Sequence, residues 1–187
     1  MSKLRATALD GTPPRGRRAG ATDVFLVRHA IAFERNRVRW PDDALRPLTP
    51  SGERRFRKAA RGLARCLPRS VVILTSPYVR ARRTAEMLAA AMGRRARPIE
   101  CDALAPRQST DKVFELLRAH SQKSVVLVGH EPDLGRFLAT ALTAARIRLR
   151  VEFKKGGAAS IAFEDTPGRG RATLEWFIPP RVLRSLA

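Results

Sequence analysis

The sequence predicts a three-layer α/β/α sandwich around a mixed, mainly parallel sheet, and three observations carry that expectation. Short apolar runs at Val24–Val27, Val71–Thr75 and Val125–Val128 read as buried strands. Between them lie stretches whose apolar residues recur at helical spacing. Toward the C-terminus the pattern changes to β-rich stretches broken by glycine turns, as in antiparallel hairpins. Alternating strands and helices followed by hairpins give such a sandwich. A chain of 187 residues suits one domain with a sizeable core. We therefore expect a single domain over residues 22–187, behind a basic tail, residues 1–21, too polar and too rich in Gly and Pro to order.

Each element has a local reason. The first strand ends at Arg28-His29, and residues 31–48, with Trp40-Pro41 and Arg46-Pro47, read as a loop over the sheet edge. Thr49 is the expected N-cap of a helix, with Pro50 as its first residue and Glu53 as an acid in its first turn. Phe56, Ala60, Leu63 and Leu67 form its apolar stripe, arginines fill the other faces, and Pro68 ends it. After the strand to Thr75, a helix is expected from about Pro77 to Met92, closed by Gly93. Pro98–Cys101 reads as a short strand, and Ser109 or Thr110 starts a helix carrying Val113, Leu116 and Leu117. A further helix is expected from Pro132 to about Ala144. Arg148–Phe153, Ala158–Phe163 and Thr173–Ile178 read as strands, with turns at Gly156-Gly157 and Pro167-Gly168.

The charge is unusual. Net charge is +20, and lysine occurs only six times, so the excess is arginine. Such a field can hold polyanions without sequence preference, although arginines on solvated helix faces give the same total. Cys66 and Cys101 have no metal-ligand spacing and read as reduced thiols of a cytoplasmic protein. No run is long and apolar enough for a membrane span, and the Arg17-Arg18 pair lacks the hydrophobic stretch of a signal peptide behind it.

Three strand ends deliver chemistry to one crevice, because ligands of open α/β sheets bind at the carboxyl ends of the strands. They bring Arg28 and His29, then Arg80 just past the second strand, then His130 after Gly129. Arginine forks pair with phosphate oxygens at any working pH, and an imidazole can attack phosphorus. The set is a phosphate site with a nucleophile, and it needs neither a metal nor another cofactor. None of the aromatic series that stacks single-stranded nucleic acid is present.

These residues sit in four blocks: Leu26-Val27-Arg28-His29-Ala30; Arg46-Pro47-Leu48-Thr49-Pro50-Ser51-Gly52; Thr75-Ser76-Pro77-Tyr78-Val79-Arg80-Ala81-Arg82-Arg83-Thr84-Ala85-Glu86; and Val128-Gly129-His130-Glu131-Pro132. In order and spacing they resemble the histidine phosphatase superfamily, with its phosphoglycerate mutase-like fold, and within it the compact SixA-type phosphohistidine phosphatases, which Lys154-Lys155-Gly156 also fits. The resemblance implies that His29 is the nucleophile, that Arg28 and Arg80 clamp the phosphoryl oxygens, and that His130 completes the pocket as a donor. By the same resemblance Asp43, shortly before Arg46-Pro47-Leu48, is the candidate proton donor, with Asp42 and Glu34 behind it; a solvated loop carboxylate is the competing reading. Asp102 is the carboxylate of the short segment before the third helix, where the mutase-like branch has its glutamate. Glu131 reads as a cap or loop anchor, Ser76 as a turn former, and Thr84 and Glu86 as helix residues. No segment is long enough to form a large lid, so a phosphoryl group carried by a protein, as phosphohistidine, is the expected substrate. Small phosphoesters, nucleotides or polyphosphate are the alternative, and a non-catalytic polyanion-binding module is the third reading.

Overall fold

The computed structural model describes residues 21–93, 97–121, 123–144 and 147–187. The expected tail, residues 1–21, lies outside the described residues except for Ala21. Strands β1 (Thr22–Arg28), β2 (Val72–Thr75), β3 (Ile99–Glu100), β4 (Ser124–Gly129), β5 (Ala158–Phe163) and β6 (Ala172–Ile178) form one sheet in the order β3-β2-β4-β1-β5-β6. The pairs β2/β3, β2/β4 and β1/β4 are parallel, and β1/β5 and β5/β6 are antiparallel. The helices are α1 (Pro50–Ala64), α2 (Val79–Ala91), α3 (Thr110–Arg118), α4 (Asp133–Thr143) and α5 (Pro180–Ser185), with 3-10 turns at Asp43–Leu45 and Asp102–Leu104.

Strand periodicity makes two cores. Along β1, Phe25 and Val27 face one layer while Val24 and Leu26 face the other, and Val126 and Val128 alternate with Val125 and Leu127 along β4. The first core closes over Phe56 and Leu63 of α1 and Leu88 of α2; the second closes over Phe114 of α3 and Phe137 and Leu138 of α4.

Right-handed crossovers assign the layers. The chain moves outward from β1 to β2 and on to β3, so α1 and α2 share one face. It then turns back from β3 to β4, which puts α3 on the other. The neighbours β1 and β4 therefore send their following helices to opposite faces. That parting opens a crevice beyond their carboxyl ends.

The caps follow the sequence. Thr49 Oγ1 accepts from the Gly52 N–H at 2.9 Å, Ser109 caps α3, and Gly93 has φ 67°. Other expectations need correction. Arg148–Phe153 is not a strand: the Phe153 N–H goes to the Glu131 carboxylate at 2.7 Å, and its carbonyl accepts from the Arg28 guanidinium. Side chains thus take the backbone groups that a ladder would need. The third strand shrinks to Ile99–Glu100, α1 ends at Ala64 and α2 starts at Val79. Helix α5, packed through the buried Leu183 against Gly62 of α1, had no counterpart in the sequence reading.

Candidate active site

His29 follows β1 directly, with its backbone N–H donating to the Gly129 carbonyl at 3.0 Å. That bond sets the two histidine-bearing strand ends side by side, and the rings of His29 and His130 lie 5.1 Å apart, centroid to centroid. Nδ1 of His29 is 2.7 Å from the Ala30 carbonyl. A carbonyl only accepts, so Nδ1 carries the proton and Nε2 keeps its lone pair. His130 presents Nε2 to the Ser76 hydroxyl at 2.8 Å, and its buried Nδ1 has no partner among the described residues. Tyr78 packs edge-on against the His130 ring at 5.3 Å.

Both imidazoles are neutral. Burial first, and then the arginines around it, push His29 down to about 3 despite its bond to Ala30. Burial, with His29 and Arg80 beside it, pushes His130 down to about 2.

The arginines are positioned from different elements. Arg80, in the first turn of α2, is 3% exposed, and its guanidinium lies over the Tyr78 ring at 4.9 Å. Its Nη1 donates to the Asp43 carbonyl at 2.7 Å and its Nη2 to Asp43 Oδ2 at 3.0 Å. Its buried Nε and that of Arg28 are without partners among the described residues. Two buried guanidinium N–H groups and the His130 Nδ1 thus have no protein partner at the crevice residues and are available to an oxyanion. Glu131 holds the Phe153 N–H and also that of Gly135 in the first turn of α4; Arg28 holds the Phe153 carbonyl, so the two side chains fix the peptide groups on either side of Phe153.

Asp43, the candidate proton donor, is gripped by arginines. Burial raises its pKa, but the bond from Arg46 at 2.8 Å and the charges of Arg80, Arg46 and Arg35 outweigh that and lower it. A carboxylate bound by arginines is ionised near neutral pH and has no proton to give. Its geometry is that of an internal anion seated on Arg80. Asp42 caps the 43–45 turn instead, accepting from the Ala44 N–H at 2.9 Å. Glu34 is exposed, and Asp102 lies in the 102–104 turn.

Three residues do more than sequence reasoning assigned. Ser76 organises its turn through the Tyr78 N–H and also orients His130. Thr84 accepts from the Ala30 N–H at 3.0 Å and donates to the Arg80 carbonyl at 2.7 Å, tying the nucleophile's segment to the arginine's helix. Arg46 bonds both Asp43 and the Phe33 carbonyl, at 2.6 Å. Nothing local in the sequence reveals the pairing of Ser76 with His130 or of Thr84 with Ala30, each 54 residues apart along the chain. His120 stays apart, bonded to the Leu116 carbonyl of its own helix.

The profile of the histidine phosphatase superfamily (branch 1) matches residues 24–105, which carry Arg28, His29 and Arg80. A protein of Picosynechococcus sp., itself uncharacterised, is 38% identical over 139 residues, 72% of this chain and 81% of that one. The chain belongs to the histidine phosphatase superfamily. It has the phosphoglycerate mutase-like fold and is a hydrolase of the phosphatase class. Within the superfamily it is of the SixA type. The structure of the protein histidine phosphatase SixA complexed with tungstate superposes with a TM-score of 0.72 at 25% identity, covering 86% of this chain and 99% of that one. A chain from Agrobacterium tumefaciens assigned to SixA superposes with a TM-score of 0.65 at 26% identity, covering 85% and 98%. Among the described residues no helix of this histidine phosphatase is long and apolar enough to cross a membrane.

Proposed function

We propose that this enzyme removes the phosphoryl group from phosphohistidine on proteins in the cytoplasm, through a covalent intermediate on His29 and without a metal ion. The observation that carries this reading is the state of the carboxylates at the crevice. Asp43 is held ionised by Arg80 and Arg46, and Glu131 spends its oxygens on the Phe153 and Gly135 N–H groups. Neither is placed to protonate a poor leaving oxygen. An imidazole departing from phosphorus needs no carboxylic acid beside it, because its other ring nitrogen titrates near neutral pH and, once protonated from solvent, lets the ring leave as a neutral base.

In this mechanism the Nε2 lone pair of His29 attacks phosphorus while the P–N bond to the substrate imidazole breaks. The electron pair of that bond goes to the departing ring nitrogen, and a proton already taken from solvent on that ring's other nitrogen makes the departing group a neutral imidazole. Arg28 and Arg80 hold the equatorial oxygens, and His130, accepting from Ser76 at Nε2, donates from the unspent Nδ1–H. Water then attacks the phosphorus of phospho-His29. Its hydroxyl stays on phosphate, its proton leaves to solvent, and the imidazole is restored.

The decisive experiment measures phosphate release from a phosphohistidine-bearing phosphotransfer protein and from an aryl phosphate, for wild type and His29→Ala. We expect release from the phosphoprotein, reduced at least about 10³-fold in the variant. Release from the aryl phosphate alone would instead support hydrolysis of small phosphoesters, nucleotides or polyphosphate, a reading that the charge of +20 favours.

A further inference from the structure

A cleft opens beside the catalytic pocket and is separate from it. Ala30 and Ile31, the residues that follow the nucleophile, line it, whereas Arg28, His29, Arg80 and His130 do not. Its accessible apolar surface comes from the half-buried Ile31 and from Pro180 at the start of α5, above Phe56 and Ala59 of α1, which are buried in the core. Around this floor stand three cations, Arg55 of α1, Lys155 and Arg184 of α5, and no carboxylate lines the cleft. None of the three forms an ion pair among the described residues.

On the same helix Arg57 is paired with Glu53, which also holds Arg83 of α2. The cleft therefore combines uncompensated positive charge with an apolar floor, next to the strand end that carries the nucleophile. A bare polyanion would use the charge and leave the floor wet. An acidic amphipathic protein segment satisfies both.

Resting on the phosphohistidine reading above, we infer that this cleft is a docking subsite for an acidic, amphipathic segment of the phosphorylated protein, lying close to its phosphohistidine. Apolar side chains of that segment cover Ile31 and Pro180. Its carboxylates meet Arg55, Lys155 and Arg184. Docking there supplies affinity and orientation for a bulky substrate and does nothing for a small phosphate ester.

The test is the double variant Arg55→Glu/Arg184→Glu. Lys155 is left alone because the adjoining Gly156 N–H holds the carbonyls of Arg28 and His29, both at 3.1 Å. A phosphohistidine-bearing phosphotransfer domain and an aryl phosphate are compared as substrates, and binding of the unphosphorylated domain is followed by fluorescence anisotropy at two salt concentrations. We expect roughly tenfold weaker binding and a correspondingly higher KM for the domain, a shallower salt dependence, and unchanged kcat/KM for the aryl phosphate. Equal binding of the domain by wild type and variant would overturn the inference. So would an equal loss on both substrates, or a loss confined to binding of a polyphosphate chain. If wild type fails to dephosphorylate the domain, the functional reading falls, and the binding comparison still decides the cleft.

Discussion

The crevice at the ends of β1 and β4 and the outer face of α1 are both rich in arginine, and they use it in opposite ways. In the crevice Arg28, Arg46 and Arg80 are wholly or largely buried and fixed by named partners: the Phe153 carbonyl, the Phe33 carbonyl and Asp43. On α1 Arg54, Arg55, Arg57, Lys58 and Arg61 are exposed, and among the described residues their one close pair, Arg57 with Glu53, is an i,i+4 surface contact. Exposed pairs of that kind contribute little to stability, about 0–1 kcal/mol. A guanidinium that is buried and pre-aimed binds an oxyanion without being reorganised first. Chemistry therefore follows how an arginine is held, and the total charge describes only the surroundings.

Substitution can break this contrast. Arg80→Ala should lower kcat by about 10²–10³-fold, as expected for removing a buried donor to the transition state. Arg54→Ala should leave kcat within about twofold and stability within about 0.5 kcal/mol. Steady-state kinetics and denaturant midpoints of the two variants settle it, and comparable losses in both would collapse the distinction.

A smaller effect is expected at Asp43, and it sharpens the comparison by asking what the internal anion does. If Asp43 positions Arg80, Asp43→Asn should reduce kcat by about tenfold on all aryl phosphates, whatever the leaving-group pKa. A proton donor would instead show the loss growing steeply for poor leaving groups, together with a lost alkaline limb in the pH profile. A slope in the leaving-group series would restore Asp43 to the acid role.

The mildest effect is on pH dependence. His29 falls to about 3 and His130 to about 2 in the fold, against an ordinary value of 6.5. Below 6.5 the unfolded chain binds protons that these two buried rings refuse. Their contribution to stability is thus complete above about pH 6.5 and is lost progressively as the pH falls toward 3. His29→Asn removes one of the two, so the loss of denaturant stability between about pH 7.5 and about pH 5.5 should be shallower than in wild type. An identical slope would mean that the rings are not buried as neutral groups.

Much of this molecule is legible in sequence where the cause is local. Thr49, Pro50 and Ser109 announce helix starts because capping is a contact within a few residues, and the apolar runs of β1, β2 and β4 follow from burial on both faces. What failed was decided at a distance. Arg148–Phe153 alternates like a strand, but Glu131 and Arg28 claim its backbone from elsewhere in the chain. Helix α5 is six residues long with Leu183 as its buried residue, too little for periodicity to register. Within the crevice, residue types suggested a phosphate site, whereas the bonds of Ser76 to His130, Thr84 to Ala30, and Arg80 to Asp43 exist only once the fold brings those segments together.

The strand order also bears on how the molecule comes into being. β4 is the last of the parallel strands to be synthesised, yet it inserts between β1 and β2, aligning Val24 with Val125 and Val72 with that same residue. Until it does, β1 and β2 have no ladder between them, and His29 and Arg80 belong to separate pieces. Contacts so far apart in sequence are slow to form, because loop closure must precede them. The crevice depends on the seating of the central strand, so catalytic competence is expected only once β4 is in place.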